Sequence, residues 1–500
     1  MADLIEDLKL LIRTRHPLVT VRTMEESYAA RQIREAGRDL GLPVLEWSIS
    51  DRLRRTVPAP TDGSAQTDTL LGALRFMRGN KSVNVYILKD AMQHLREPVI
   101  ERTLRETALE YSRDSRTIFM IDPAGKLPDS LRTLTVPYEL ALPDEKEIRK
   151  IVKRTFRQVG PTTSAVVDMT REEYARFVAS LRGLTRMEIS QVVVDAVLGS
   201  GKLCADDAAR AAEVKRRRLR QTGVLDYLPP PEAAPKVGGM ATLRKWLRRR
   251  SRAFSPEAVA FGLAPPRGIL MLGVQGCGKS LMARFVAAEW KMPLLRMDVG
   301  SLYDKYVGES ERHLRQAFEV AAAMAPCVLW IDEVEKAFAS AAAGAGSAVS
   351  DGGLSQRLFG QLLTWMQDHP EPVFLVATAN DVSALPPELL RKGRFDEVFF
   401  VDLPGAEARK EIFRIHLAKR KRDPKGFDLD ALVAASEGFS GAEIEQAVVA
   451  AMYAAFNEDR DLTTDDLRDE LAATRPLSVV MAEKVATLRA WADGRCVRAD

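Results

Sequence analysis

Cysteine is scarce in this chain. Its four copies, Cys204, Cys277, Cys327 and Cys496, lie far apart and lack the close spacing of metal ligands. A disulfide framework and a zinc site are both disfavoured, and reduced thiols are expected. Uncharged apolar runs of membrane-spanning length are missing as well. The opening MADLIEDLKLLIRTRHP sets acids among its apolar residues and carries no small-residue cleavage site, so the expectation is a cytoplasmic protein without membrane contact. Nor is one sign of charge in large excess, the formal net charge being +4. The basic residues still cluster, in Lys215 to Arg220 (KRRRLR) and in Arg244 to Arg252 (RKWLRRRSR). Such runs can meet nucleic acid or acidic membrane. Without an aromatic-rich stacking surface beside them they read better as solvated helix faces, with Leu243, Trp246 and Leu247 turned inward.

What is present is enough apolar material for several cores: 500 residues at 46% hydrophobic imply two or more domains. The clearest seam is LDYLPPPEAAPKVGG, residues 225 to 239, where prolines and a glycine pair interrupt the helical pattern. Beyond it, GILMLGV, PLLRMDV, CVLWIDE, VFLVATAN and EVFFVDLP predict strands separated by helical stretches, hence a buried parallel sheet with helices on both faces. From Ala406 onward the pattern is helical. The first half repeats this logic more weakly in HPLVTVRT, VNVYILKD, RTIFMID and LTVPYELALP. Four segments match across the halves in the same order: 117–123 with 374–380, 128–132 with 386–391, 140–152 with 401–413, and 182–196 with 437–451. Internal duplication is the reading, and chance likeness of two α/β domains the alternative.

Chemistry concentrates in the second half. Gly273-Val274-Gln275-Gly276-Cys277-Gly278-Lys279-Ser280 fits G-x-x-x-x-G-K-[ST] between a strand and a helix. Gly273, Gly276 and Gly278 let the backbone wrap a polyphosphate, with N–H groups and a helix N-terminus facing the negative charge. Lys279 should reach the β and γ phosphates of ATP and Ser280 should ligate magnesium, with Leu281 in the first helical turn. A purely structural glycine turn is the alternative, and the Lys-Ser pair speaks against it. Cys277 puts a thiol beside the phosphates, where redox control competes with simple tolerance of a small side chain.

The strand CVLWIDE ends in Asp332 and Glu333, suited to hold magnesium and to orient the attacking water, respectively. Strand-end solvation explains two such acids equally well when they stand alone. Downstream of the glycine loop they gain weight. Asn380 ends the next strand (VATAN) with an amide that can hold water against the γ phosphate, although Asn at a strand end also forms turns. Arg391 and Arg394 precede the last strand and, in a ring of subunits, can reach a neighbour's γ phosphate.

These blocks, with KYVGESERHLRQAF, WIDEVEKAF, LLRKGRFDEVFF and GFSGAEIEQ, resemble an AAA+ module of the branch that includes p97-like remodellers and membrane-bound AAA proteases, over 225–475. More narrowly, GVQGCGKSLMARFVAAEWKMPLLRMDVG and SGAEIEQAVVAAMYAAF are similar to the AAA proteins first noted as plastid and cyanobacterial open reading frames, over the whole chain. The resemblance implies an α/β fold: a P-loop AAA+ module, with a parallel sheet, flanking helices and a helical lid, preceded by a degenerate AAA-like domain. The expected division is 1–224 for that domain, 225–239 as linker, 240–405 as the large ATPase subdomain and 406–500 as lid and C-terminal helices. It further implies Gly238 near the adenine, His416 near the ribose or base, and Gly441 and Ala442 at the nucleotide, Ala442 standing where other AAA+ branches carry an arginine. Lys305, Tyr306 and Val307 would form a pore loop that grips an extended polypeptide. A lone His on an amphipathic helix can instead be packed, and Tyr306 can pack against its own helix.

The first half lacks the glycine loop, having Val21-Arg-Thr-Met-Glu-Glu after its first strand, and its counterpart of CVLWIDE ends in Lys89-Asp90. It should neither bind nor split ATP. The function expected is a homo-oligomeric ring ATPase, hexameric by family analogy, that uses ATP and magnesium to remodel a protein client. No HEXXH protease signature follows. A nucleic-acid motor using the arginine runs, and an ATP-dependent switch or scaffold, are the competing functions.

Overall fold

The computed structural model describes residues 4–59, 61, 65–113, 116–123, 127–163, 165–229, 234–298, 300, 309–336, 354–391 and 393–500. Two compact units divide them, 1–143 with 185–187 and 144–184 with 188–500. Residues 144–184 and 188–224, about a third of the stretch expected as one domain over 1–224, group with the second unit.

The first unit is built on a six-stranded sheet of β1 (Leu18–Arg22), β2 (Val44–Ser48), β3 (Arg52–Val57), β4 (Val85–Lys89), β5 (Thr117–Ile121) and β6 (Thr135–Glu139), in the order β3-β2-β4-β5-β1-β6. Only β3 runs antiparallel, against β2. Four of these strands coincide with the apolar runs seen in the sequence; β2 and β3 (VLEWS, RLRRTV) escape notice because their charges dilute the alternation. The helix Glu26–Asp39 turns Ala29, Ala30, Ile33, Ala36 and Gly37 inward, one stripe at helical spacing. Gly37 is needed there, since a Cβ on it would lie 2.4 Å from Val44 Cγ2.

In the second unit, β7 (Val166–Asp168) and β8 (Lys202–Cys204) pair within a small helical region. The main sheet has seven strands: β9 (Leu225–Leu228), β10 (Gly268–Gly273), β11 (Leu294–Met297), β12 (Cys327–Ile331), β13 (Val373–Ala379), β14 (Glu397–Val401) and β15 (Val497–Arg498), ordered β15-β14-β10-β13-β12-β11-β9. Successive side chains of a strand face opposite ways. Leu270, Leu329 and Leu375 accordingly join a core with Leu314 and Leu358 on one face, and Ile269, Val328 and Phe374 join Met282, Phe285 and Trp290 on the other. Each such buried side chain contributes about 1.5–3 kcal/mol, and burial on both faces explains why these strands read as unbroken apolar runs.

Two expectations fail at the sheet's edges. The stretch expected to be linker begins as β9, which pairs antiparallel with β11, because Leu225 and Tyr227 alternate inward and bury ahead of the prolines. The expected all-helical end also supplies a strand, β15, parallel to β14. The lid itself is helical: Ala406–Lys419, Leu429–Ala435, Gly441–Asn457 and Thr464–Ala473 enclose Phe413, Leu417, Leu432, Ile444, Val448 and Leu467. The basic runs divide. Leu243 and Leu247 are fully buried and Trp246 packs on Phe399, as the solvated-face reading requires. Lys215 departs from it, being buried with its ammonium over the Tyr227 ring.

Removing β15 and the antiparallel edge strands, the sheets share one order: β6-β1-β5-β4-β2 corresponds to β14-β10-β13-β12-β11. The duplication read from the sequence is thus matched strand for strand.

Candidate active site

The loop after β10 turns back on itself to start the helix Lys279–Glu289. Gly273 has φ +145° and leaves no room for a side chain, since a Cβ there would lie 2.0 Å from the Val401 carbonyl oxygen. Gly278 supplies the left-handed N-cap at φ +86°, a conformation that costs glycine little. N–H groups at the start of the helix lack intrahelical acceptors, so the bend presents donors and a positive dipole end to one space. Lys279 is buried beneath it and donates to the carbonyls of Gly273 and Val274 at 2.8 and 2.7 Å. Burial lowers its pKa to about 8, opposed by the charges of Glu335, Asp332 and Glu333. An anionic phosphate tail would restore the full charge of the ammonium.

Acidic groups from the end of β12 meet a hydroxyl and an amide from the end of β13. Ser280 Oγ lies 3.0 and 3.3 Å from the two carboxylate oxygens of Asp332. These hard oxygens at the mouth of the loop fit a magnesium ion, which takes few protein ligands and keeps several waters. Glu333 follows with φ +52°, its N–H donating to Thr378 Oγ1 at 3.0 Å. Asn380 Nδ2 donates to Glu333 Oε1 at 3.0 Å, and Lys336 reaches Glu333 Oε2 at 2.5 Å. A carboxylate so held, beside an amide, can align a water molecule with a terminal phosphate.

Two residues here were not singled out in the sequence. Thr378 donates to Asp332 as well as receiving Glu333, tying the two strands together. Its signal was available, because it stands two before Asn380 and strand residues two apart share a face. Glu335 is buried, and one oxygen accepts the Asn380 N–H at 2.8 Å while the other has no hydrogen-bond partner among the described residues. Burial raises its pKa, more than any other influence on it. Nothing in the spacing of WIDEVEK signals that this acid crosses to the next strand.

The lid closes one side. Ala442 N–H donates to the Gly276 carbonyl at 3.0 Å, and a Cβ on Gly276 would lie 2.9 Å from Ser440 Oγ. Gly441 and Ala442 open the helix Gly441–Asn457 behind a capping box of Ser440 and Glu443. Gly238 abuts Ile412, and His416 lies one turn beyond Ile412 on the same helix. Burial lowers the His416 pKa, and its Nδ1 is 3.3 Å from both Glu445 and Arg420. Cys277 is buried with its thiol pushed up to about 12 by desolvation, which suits the tolerance reading better than redox control.

Arg391 and Arg394 are not brought to this loop. Arg391 is exposed and Arg394 donates to the Glu388 carbonyl; among the described contacts neither touches 273–281. Lys305, Tyr306 and Val307 lie outside the described residues, as does the small-residue stretch 345–353.

The first half keeps this backbone plan without its chemistry. Register pairs Val85 with Thr117 in one sheet and Val328 with Phe374 in the other, which makes Lys89 the counterpart of Asp332 and Asp90 that of Glu333. Asp90 retains the left-handed turn, at φ +51°. The charges, however, are exchanged. Lys89 pairs with Glu26 at 3.1 Å, where the second half sets Asp332 against the start of Lys279–Glu289. Glu25, in the shortened loop, holds the Arg186 guanidinium at 2.7 Å. With its acids already paired and no lysine at the place of Lys279, this loop offers a phosphate tail no cation there.

Comparisons with known proteins agree with this division. Residues 269–403 match the ATPase family associated with various cellular activities (AAA), and 426–469 match the AAA+ lid domain. Residues 4–140 and 146–222 match the N-terminal and second domains of SpoVK-like AAA ATPases. An uncharacterized AAA domain-containing protein, ycf46, of Pyropia yezoensis is 36% identical over 98% of both chains. The ATP-dependent zinc metalloprotease FtsH of Acidothermus cellulolyticus is 43% identical over 41% of this chain and 31% of its own. The proteasome-activating nucleotidase of Sulfurisphaera tokodaii is 38% identical over 40% of this chain and 50% of its own. The chain belongs to the ycf46-like AAA ATPases, ATP-hydrolysing P-loop enzymes with a SpoVK-like N-terminal half.

Proposed function

We propose that this protein is a ring-forming ATPase, hexameric and cytoplasmic, that remodels or unfolds a protein client. The observation that carries the ATPase part is the convergence of Lys279, Ser280, Asp332, Glu333 and Asn380 on one glycine-lined bend. In this reading the N–H groups from Gly273 to Leu281 cradle the phosphates while Lys279 neutralises them. Magnesium held by Ser280 and Asp332 would draw charge from the β and γ oxygens. Glu333 orients water, and Asn380 keeps Glu333 and that water aligned. Gly238 and His416 bound the nucleoside.

Assembly is supported by what a single chain leaves unused. Arg391 is exposed, away from its own loop, and a guanidinium there can stabilise charge developing at a neighbour's γ phosphate. Large apolar side chains also stand in solvent at two places, Tyr453 and Phe456 on the lid and Val259, Phe261 and Leu263 after Ser255, as expected of surfaces that meet in a larger assembly. Action on protein fits the names of the two shorter-matching relatives, a protease and a proteasome activator. Pulling by Lys305, Tyr306 and Val307 is part of the proposal.

The test is the Glu333→Gln variant in a client pull-down. It should retain ATP, hydrolyse it at least about a hundredfold more slowly, and co-purify a protein client with a multi-subunit ring. Hydrolysis at the wild-type rate would show that Glu333 does not orient the water.

A further inference from the structure

The helix Ala241–Arg249 begins without a cap of its own. Met240 occupies its N-cap position at φ +56° and ψ +41°, and its side chain offers no oxygen to the N–H groups that a helix start leaves over. Two acceptors come instead from the far end of the same unit. Leu243 N–H donates to the Ala499 carbonyl at 3.0 Å, and Met240 N–H donates to Asp500 Oδ1. Ala499 is itself anchored, being buried and donating to the Phe400 carbonyl at 3.0 Å just past the pairing of β15 with β14. Gly239 lies so close that a Cβ on it would be 2.8 Å from Asp500 Oδ1 and 3.0 Å from Ala408 Cβ. The backbone from Gly238 to Met240 is therefore held between the lid helix Ala406–Lys419 and the Asp500 carboxylate.

That segment borders one particular side of the phosphate-binding loop. A triphosphate on the loop points its terminal phosphate at Asp332, Glu333 and Asn380, so its nucleoside must leave on the opposite side. On the lid-facing side a Cβ on Gly238 would meet Ile412 Cγ1 at 2.8 Å, and a Cβ on Gly441 would meet Ile412 Cδ1 at 3.6 Å. Met240 Cε lies 3.4 Å from the Cβ position of Gly278. The wall formed by Gly238 to Met240 is thus shared by the lid, the phosphate loop and the tail.

We propose that Asp500 is a positioning residue for nucleotide binding: by capping Ala241–Arg249 from outside, it fixes the Gly238–Met240 backbone against which the nucleoside rests. The inference rests on the ATP-binding reading of the Lys279 loop and extends it to the tail. Among the described contacts Asp500 meets Gly239 and Met240 and none of 273–280, so in this proposal it acts on the nucleoside side of the site. Because coupling is reciprocal, a bound nucleoside must in turn hold the tail in place.

Equilibrium binding of ATP and of inorganic tripolyphosphate, which has no nucleoside, separates the parts on the full chain. Asp500→Ala should weaken ATP about tenfold and leave tripolyphosphate unchanged. Asp500→Asn keeps an oxygen acceptor and should restore ATP binding. In the wild-type protein, hydrogen exchange at the Met240 and Leu243 amides should slow with ATP and not with tripolyphosphate, a readout independent of how the variants fold. Unchanged ATP affinity in Asp500→Ala, equal loss of both ligands, or exchange indifferent to ATP would each overturn the role of Asp500. Lys279→Ala should lose both ligands; if it keeps both, the phosphate-loop reading itself fails.

Discussion

Glu335 shows how a single side chain can act on chemistry it does not touch. Its carboxylate holds the Asn380 backbone across β12 and β13, and Asn380 holds Glu333. Glu335→Ala should therefore lower kcat about tenfold while changing the KM for ATP less than threefold in a steady-state assay, and Glu335→Gln, which keeps an acceptor oxygen, should recover most of the loss. Cys277 is the contrasting case: its buried thiol is raised to about 12, so iodoacetamide at pH 8 should label the half-buried Cys204 first, ahead of Cys496, whose thiol burial raises to about 11. Prior labelling of Cys277 with loss of turnover would revive the redox reading. The glycine loop, Asp332, Glu333 and Asn380 were legible because their chemistry needs fixed types at fixed spacing. Thr378 was legible only as the residue two before Asn380 on one strand face; Glu335 and Asp500 were not legible, because each works through a backbone N–H that any acceptor in the right place could hold.

At the scale of elements, strands buried on both faces announced themselves as apolar runs, and all five central strands of the ATPase sheet could be read directly. The misses in that sheet were its edge strands. β9 and β15 need burial on one side and span four and two residues, too few for a period to register. β9 also explains the unexpected position of Lys215, whose ammonium lies over Tyr227 of that strand. Desolvation lowers the Lys215 pKa to about 7 from 10.5. Between those values the unfolded chain binds the proton and the folded one does not, so stability should climb as pH rises from about 7 toward 10. Lys215→Met should raise the thermal midpoint of the second unit at pH 7 by about 2–4 °C, and the advantage should shrink toward pH 10. A gap between variant and wild type that stays constant across that range would show that Lys215 is charged in the folded protein.

For the molecule as a whole, the central question is whether the reaction centre is completed within a chain or between chains. If Arg391 serves the neighbouring subunit, Arg391→Ala and Lys279→Ala should each abolish ATPase activity alone, and an equal mixture should regain about one quarter of wild-type turnover, the share of interfaces with an intact loop on one side and an intact arginine on the other. No recovery on mixing, with rings confirmed by light scattering, would return Arg391 to a local role. The shared strand order of the two halves, with charge exchanged at Lys89 and Glu26, has a genetic corollary. In a saturation library sorted for ATPase-competent clones, codons 273 and 278–280 should admit almost no replacements. Codons 23–26 should admit many, restricted mainly by the ion pairs of Glu25 and Glu26. The same scaffold would then display two opposite tolerance profiles within one open reading frame.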